Sequence, residues 1–128
     1  MLNYSRAFSS FSVDDSQKAK DFYSNKLGLK VTDVPEMEGL INLHIDGSES
    51  VMVYSKPDHK PATFTVLNFM VKNVEETIDA LTAKGIKFET FNDENLKTDK
   101  KGIMSGGAGP TIAWFKDPAG NFISIIEE

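Results

Sequence analysis

FSVDDSQKAKDFYSNKLGLKV, residues 11–31, has a counterpart further along the same chain in FMVKNVEETIDALTAKGIKF, residues 69–88. Laid over one another, Phe11 meets Phe69, Val13 meets Val71, Asp21 meets Asp79 and Lys26 meets Lys84. Dropping one residue then brings Gly28 onto Gly85 and Lys30 onto Lys87. The same order of elements twice marks a duplicated supersecondary unit. Each copy opens on a strand rich in aromatic and β-branched residues, Phe8–Val13 and Phe64–Val71. A helix follows in each. Asp15 or Ser16 can cap the first and Asn73 the second. Ala19, Phe22, Tyr23 and Leu27 recur at helical spacing, as do Val74, Ile78 and Leu81. Gly28 and Gly85 stand just past the ends, where a left-handed residue stops a helix at little cost. Short strands are predicted at Lys30–Val34, Leu40–Ile45 and Val51–Tyr54, then at Lys87–Phe91, Thr111–Phe115 and Phe122–Ile126. Asp46-Gly47 and Asp117-Pro118-Ala119-Gly120-Asn121 supply turn chemistry between them. The order is β-α-β-β-β, twice.

A chain of 128 residues is one domain's worth, 1–128, with modules at about 5–56 and 63–128. Ser55–Thr63, with two prolines, reads as the connection between them. Hydrophobic residues at 40% and charged residues at 26% describe a globular chain, not a disordered or fibrous one. No apolar run approaches the roughly 18 residues that a membrane helix needs. The first residues, MLNYSRAFSSFSVDD, lack the apolar core of a signal peptide, so a cytoplasmic protein is expected. Cys is absent, which removes disulfides, thiolate metal sites and Cys nucleophiles. A formal net charge of −5 and 14 Lys and Arg against 19 Asp and Glu give no basic face for nucleic acid.

Val13-Asp14-Asp15, then Ala19-Lys20-Asp21-Phe22-Tyr23 and Leu27-Gly28-Leu29, resembles the opening module of the vicinal oxygen chelate superfamily. Trp114-Phe115-Lys116-Asp117-Pro118-Ala119-Gly120-Asn121-Phe122-Ile123 resembles its closing hairpin. That superfamily holds glyoxalase I, extradiol dioxygenases, fosfomycin-resistance enzymes and bleomycin-resistance proteins. The resemblance implies an α+β fold of two βαβββ modules, forming a glyoxalase-like cleft-shaped sheet completed by dimerisation. It does not choose an activity, because one fold hosts many.

The superfamily's enzymes hold a divalent metal with His and Glu side chains from the first and last strand of each module. Carried over position by position, those places hold Phe8, Met52, Val66 and Ser124. Their chain neighbours Ala7, Ser9, Val51, Val53, Thr65, Leu67, Ile123 and Ile125 include no His, Asp or Glu either. A Lewis acid needs several N or O ligands with positions left open, so no metal and no cofactor are expected. His44 reads as a surface or half-buried residue of a middle strand and His59 as a solvent-exposed residue of the linker. A joint site would need the linker to fold back onto the sheet.

Alternation along strands puts Phe8, Ser10, Ser12, Met52, Tyr54, Val66, Asn68, Met70, Phe122, Ser124 and Ile126 on the cleft wall. That is an apolar receptacle with a few hydrogen-bonding groups, the usual make-up of a ligand site; the same residues could instead fill the cleft. Trp114, the sole tryptophan, is core by default and a stacking platform otherwise. Asn92–Pro110 is long for a connection and reads as a hinged flap or inter-subunit segment with Ile103 and Met104 as its apolar tip. No catalytic residue is expected, because a Ser nucleophile needs a base and no His maps to the cleft. The expected protein is a homodimer that binds a small molecule, partly apolar and cationic or neutral, without metal. It is expected to bind neither nucleic acid nor membrane. The alternative is a metal-dependent lyase, isomerase or dioxygenase with an atypical site.

Overall fold

The computed structural model describes residues 1–105 and 109–128. Gly106, Gly107 and Ala108, part of the predicted flap, lie outside the described residues. The chain divides into two compact units, Met1–Lys60 and Pro61–Glu128.

In the first unit β1 (Ser10–Val13), β2 (Lys30–Asp33), β3 (Leu40–His44) and β4 (Val51–Ser55) form one sheet in the order β1-β4-β3-β2. β1 runs parallel to β4, and the other pairings are antiparallel. Helix α1 (Ser16–Asp21) starts at Asp15, whose carboxylate accepts from the N–H groups of Gln17 and Lys18 at 2.9 and 3.1 Å. It then widens into a π turn, Phe22–Lys26, in which the Leu27 N–H donates to the Phe22 carbonyl. An extra residue in a helix is accommodated as such a turn. This is the residue by which the first copy exceeds the second. Ala19, Phe22 and Tyr23 are buried with Phe11, Val13, Ile41, Leu43, Val51 and Val53, which alternate onto one side of the sheet. Burying a large apolar side chain contributes about 1.5–3 kcal/mol, so this side holds the first core.

The second unit repeats the plan. β5 (Thr65–Val71), β6 (Ile103–Met104), β7 (Ile112–Lys116) and β8 (Phe122–Glu127) are ordered β5-β8-β7-β6, with β5 parallel to β8. Helix α2 (Val74–Ala83) is capped by Asn73, whose side chain accepts from the Glu76 N–H at 2.9 Å. Val74, Ile78, Ile86, Phe88, Ala113, Phe115, Ile123 and Ile125 form the second core. The fold is thus α+β, two four-stranded mixed sheets with few helices, as the two βαβββ modules require.

Three local expectations change. The first strand begins at Ser10, so Phe8 precedes it and is 66% exposed. Lys87–Phe91 does not form a strand: only Phe88 bridges to Phe115. The edge of the sheet is completed instead by Ile103 and Met104, opposite Ala113 and Ile112, so these two are a strand and not a flap tip. The intervening segment is folded. Phe91 and Thr98 exchange hydrogen bonds, Asn92 bridges to Lys97, and the Asp99 carboxylate accepts from the backbone N–H groups of Lys101 and Ile103 at 2.9 Å each.

Candidate functional site

Each sheet has a second side, away from its helix. In the first unit the register aligns Ser10, Met52, Asn42 and Thr32 across the four strands on this side, with Ser12, Tyr54 and Leu40 in the next alternate row. Met52, Tyr54 and Ser12 are half-buried there and Ser10 is exposed. Both histidines come to the same side. The His44 ring lies between two hydroxyls, Thr32 Oγ1 at 2.8 Å from Nε2 and Ser50 Oγ at 3.1 Å from Nδ1. His59 folds back from the linker until its Nδ1 is 2.7 Å from Ser12 Oγ.

The fold-back has a local cause. Lys56-Pro57-Asp58-His59 is a β-turn, with the His59 N–H donating to the Lys56 carbonyl at 3.0 Å. Pro57 occupies the position whose φ a proline presets. The Lys56 N–H in turn donates to the Val13 carbonyl at 2.9 Å, tying the turn to β1. Lys56 and Asp58 pair at 3.2 Å, and the hydrogen bond from Lys56 holds the Asp58 carboxyl below its ordinary value. The sequence reading left every serine of this wall without a histidine; the structure puts His59 on Ser12. The signal was a proline turn following directly on a strand. The two rings still do not share a site. Two strand spacings, about 9.5 Å, and four residues along a strand, about 13 Å, separate the places they occupy.

In the second unit Asn68, Ser124 and Trp114 form one row and Met70, Ile126, Ile112 and Met104 the next. Phe91 meets Trp114 edge-on at 5.7 Å and Phe122 at 6.2 Å between ring centroids. Lys116 Nζ stands 5.0 Å over the Phe122 ring. The Trp114 indole N–H donates to Thr65 Oγ1 at 3.1 Å, so the tryptophan faces away from the helix. Asn68 is exposed, and its Oδ1 accepts the Ser124 hydroxyl. Ser124 itself is 0% exposed. It orients Asn68 and offers no surface of its own. Val66 falls at a bulge between Thr65 and Leu67, which two-residue alternation cannot anticipate. The sequence reading therefore missed Thr65, and it missed Phe91 by assigning it to a strand.

Among the described residues no three His, Asp or Glu side chains gather as they would around a metal ion. A separate groove of about 620 Å³ in the first unit runs past Asp33, Glu36, Met37, Glu38 and Leu40. None of the residues expected on the ligand-binding wall lines it.

The family model for the Glyoxalase/Bleomycin resistance protein/Dioxygenase superfamily matches residues 7–125. The chain belongs to this superfamily. Solved structures agree on the fold. A superfamily member from Sphaerobacter thermophilus is 24% identical, with a TM-score of 0.70, over 96% of this chain and 98% of its own. TnmS3, an antibiotic-binding protein from Streptomyces sp. CB03234, is 22% identical, with a TM-score of 0.70, over 97% of each chain. A glyoxalase/bleomycin resistance protein from the same Streptomyces is 24% identical, with a TM-score of 0.67, over 95% of this chain and 99% of its own. No curated protein matches the sequence. The metal of the superfamily's enzymes does not fit this chain: Phe8, Met52 and Val66 carry no ligand for a hard ion, and the Ser124 hydroxyl is given to Asn68.

Proposed function

We propose that the chain binds a small, partly apolar molecule on the helix-free side of its sheets, in the cytoplasm, without a resident metal and as a homodimer. One observation carries the reading. In the second unit an aromatic group, Phe91, Trp114 and Phe122, adjoins an apolar row ending in Met70, which is 66% exposed. A large flexible apolar side chain in water beside hydrogen-bonding Asn68 is the composition of a ligand wall. In the first unit Ser10, Ser12, Met52 and Tyr54 offer a similar mixture. TnmS3, described as antibiotic-binding, has the same fold and so lends the reading support. Dimerisation would cover the open edges of β2 and β6 and the exposed Leu2, Tyr4 and Phe8.

A thermal-shift and tryptophan-emission screen of neutral and cationic aromatic molecules tests the binding. A ligand at a hundred times its Kd adds about 2.7 kcal/mol of stability, so a hit raises the melting temperature by several degrees. Met70→Asp should weaken that hit at least tenfold without lowering the melting temperature of the free protein. A hit that Met70→Asp leaves untouched removes the second sheet from the reading. Metal analysis of protein purified without chelator or affinity tag should find less than a tenth of an ion per chain; one tight divalent ion per chain overturns the metal-free part.

A further inference from the structure

We propose that Ser12 and His59 form a nucleophile–base pair that transfers the acyl group of small carboxylic esters, an activity beyond ligand binding. Three observations carry it. Ser12 Oγ and His59 Nδ1 are 2.7 Å apart, the contact that activates a serine. The base is preorganised, because the Pro57 turn and the Lys56–Val13 hydrogen bond fix where His59 returns to the sheet. The pair also lies on a half-exposed wall of mixed polarity: Tyr54 is the cross-strand partner of Ser12, Leu40 is the partner of Tyr54, and Met52 lies one alternate row away.

With its proton on Nε2, the His59 ring accepts the Ser12 hydroxyl at Nδ1. Ser12 Oγ forms a bond to the ester carbonyl carbon while its proton passes to Nδ1. The imidazolium then returns that proton to the departing alkoxide, which leaves as the alcohol. Water attacks the acyl-serine, gives its proton to His59 and releases the acid, and the proton returns to Ser12. Ester and water become acid and alcohol, with no oxidant or cofactor. Tyr54, whose phenol is on this face, is the hydroxyl donor nearest in register for the carbonyl oxygen.

His44 provides an internal comparison. Its Nδ1 contact to Ser50 is longer, 3.1 Å. A labelling reaction that merely finds serines near histidines would mark Ser50 as well.

The test is p-nitrophenyl acetate on the whole protein, read by nitrophenolate release and by peptide mass mapping of the acetyl group. The wild type should carry acetyl on Ser12 and not on Ser50. His59→Gln keeps a hydrogen-bonding group beside Ser12 but no base, and should acetylate at least tenfold more slowly at an unchanged melting temperature, since general-base assistance is worth about a hundredfold or more. Ser12→Ala should abolish that label. Acetylation of the wild type at Ser12 no faster than at other serines overturns the proposal, and so does an undiminished rate in His59→Gln. If His59→Gln does not fold, the wild-type map alone decides. Ligand binding is scored separately by thermal shift, so either reading can fail without the other.

Discussion

Asp117, only 4% exposed, shows what the closing motif does. Its carboxylate accepts from the Ala119 N–H at 3.0 Å, the Asn121 N–H at 2.8 Å and the Asn121 side-chain amide at 3.1 Å. Asn121 Oδ1 in turn accepts from the Ala62 N–H at 3.2 Å. The motif builds a turn and holds a strand entry. Asp117→Ala leaves buried N–H groups unpaired and should cost about 3 kcal/mol in urea unfolding; a loss below 1 kcal/mol contradicts this role. Phe91 is the second decisive residue. Phe91→Ala removes the ring that packs edge-on with Trp114, so its emission should shift to longer wavelength and stability should fall by about 1–2 kcal/mol. Asp117 was legible as a turn former, whereas the partner of Phe91 was not, because it depends on how the following residues double back.

At the scale of elements, the duplication was legible because Phe11 and Phe69, Val13 and Val71 sit at the same places in repeated strands. Helix starts were legible too, since Asp15 and Asn73 carry the side-chain oxygens that caps need. The composite edge of the second sheet was not. It is made by Phe88 and Ile103, separated by a folded excursion whose ends are pinched together. A Cβ on Gly102 would lie 2.7 Å from the Glu89 carbonyl oxygen, at φ +92°. Gly102→Ala should therefore cost about 1–3 kcal/mol and release amide protection at Phe91 and Thr98, measured by hydrogen exchange. Lys101 holds the excursion to α2, at 2.7 Å from Asp79 and 3.6 Å from Glu75. The hydrogen bond to Asp79 raises its ammonium above the ordinary value. That contribution is complete below the ordinary lysine value and is lost only as pH rises through the raised one. Protection factors in this segment should consequently agree at pH 6 and pH 8, and a fall between them counts against the pairing.

For the whole molecule, composition and the absence of cysteine excluded classes of function but could not choose one. Alternation made legible which strand residues share the helix-free side, such as Ser10, Ser12, Met52 and Tyr54, but not Phe8, which precedes its strand, nor Val66, which falls at a bulge. His59, Thr65 and Phe91 were not, because a reverse turn, a bulge and a doubled-back segment each break two-residue counting. The proposed homodimer should sediment at twice 14.2 kDa, and a concentration-independent mass near 14.2 kDa eliminates it. The strand order β1-β4-β3-β2 has one more consequence, in time. Among the described residues the first strand's only sheet neighbour is the last of its own unit, so Ser10 waits for Met52, made 42 residues later. At about 5–20 residues per second on the ribosome, β1, with Phe11 and Val13 bound for the core, spends between about two and eight seconds unpaired. A nascent-chain chaperone has its opening there, before the first sheet closes.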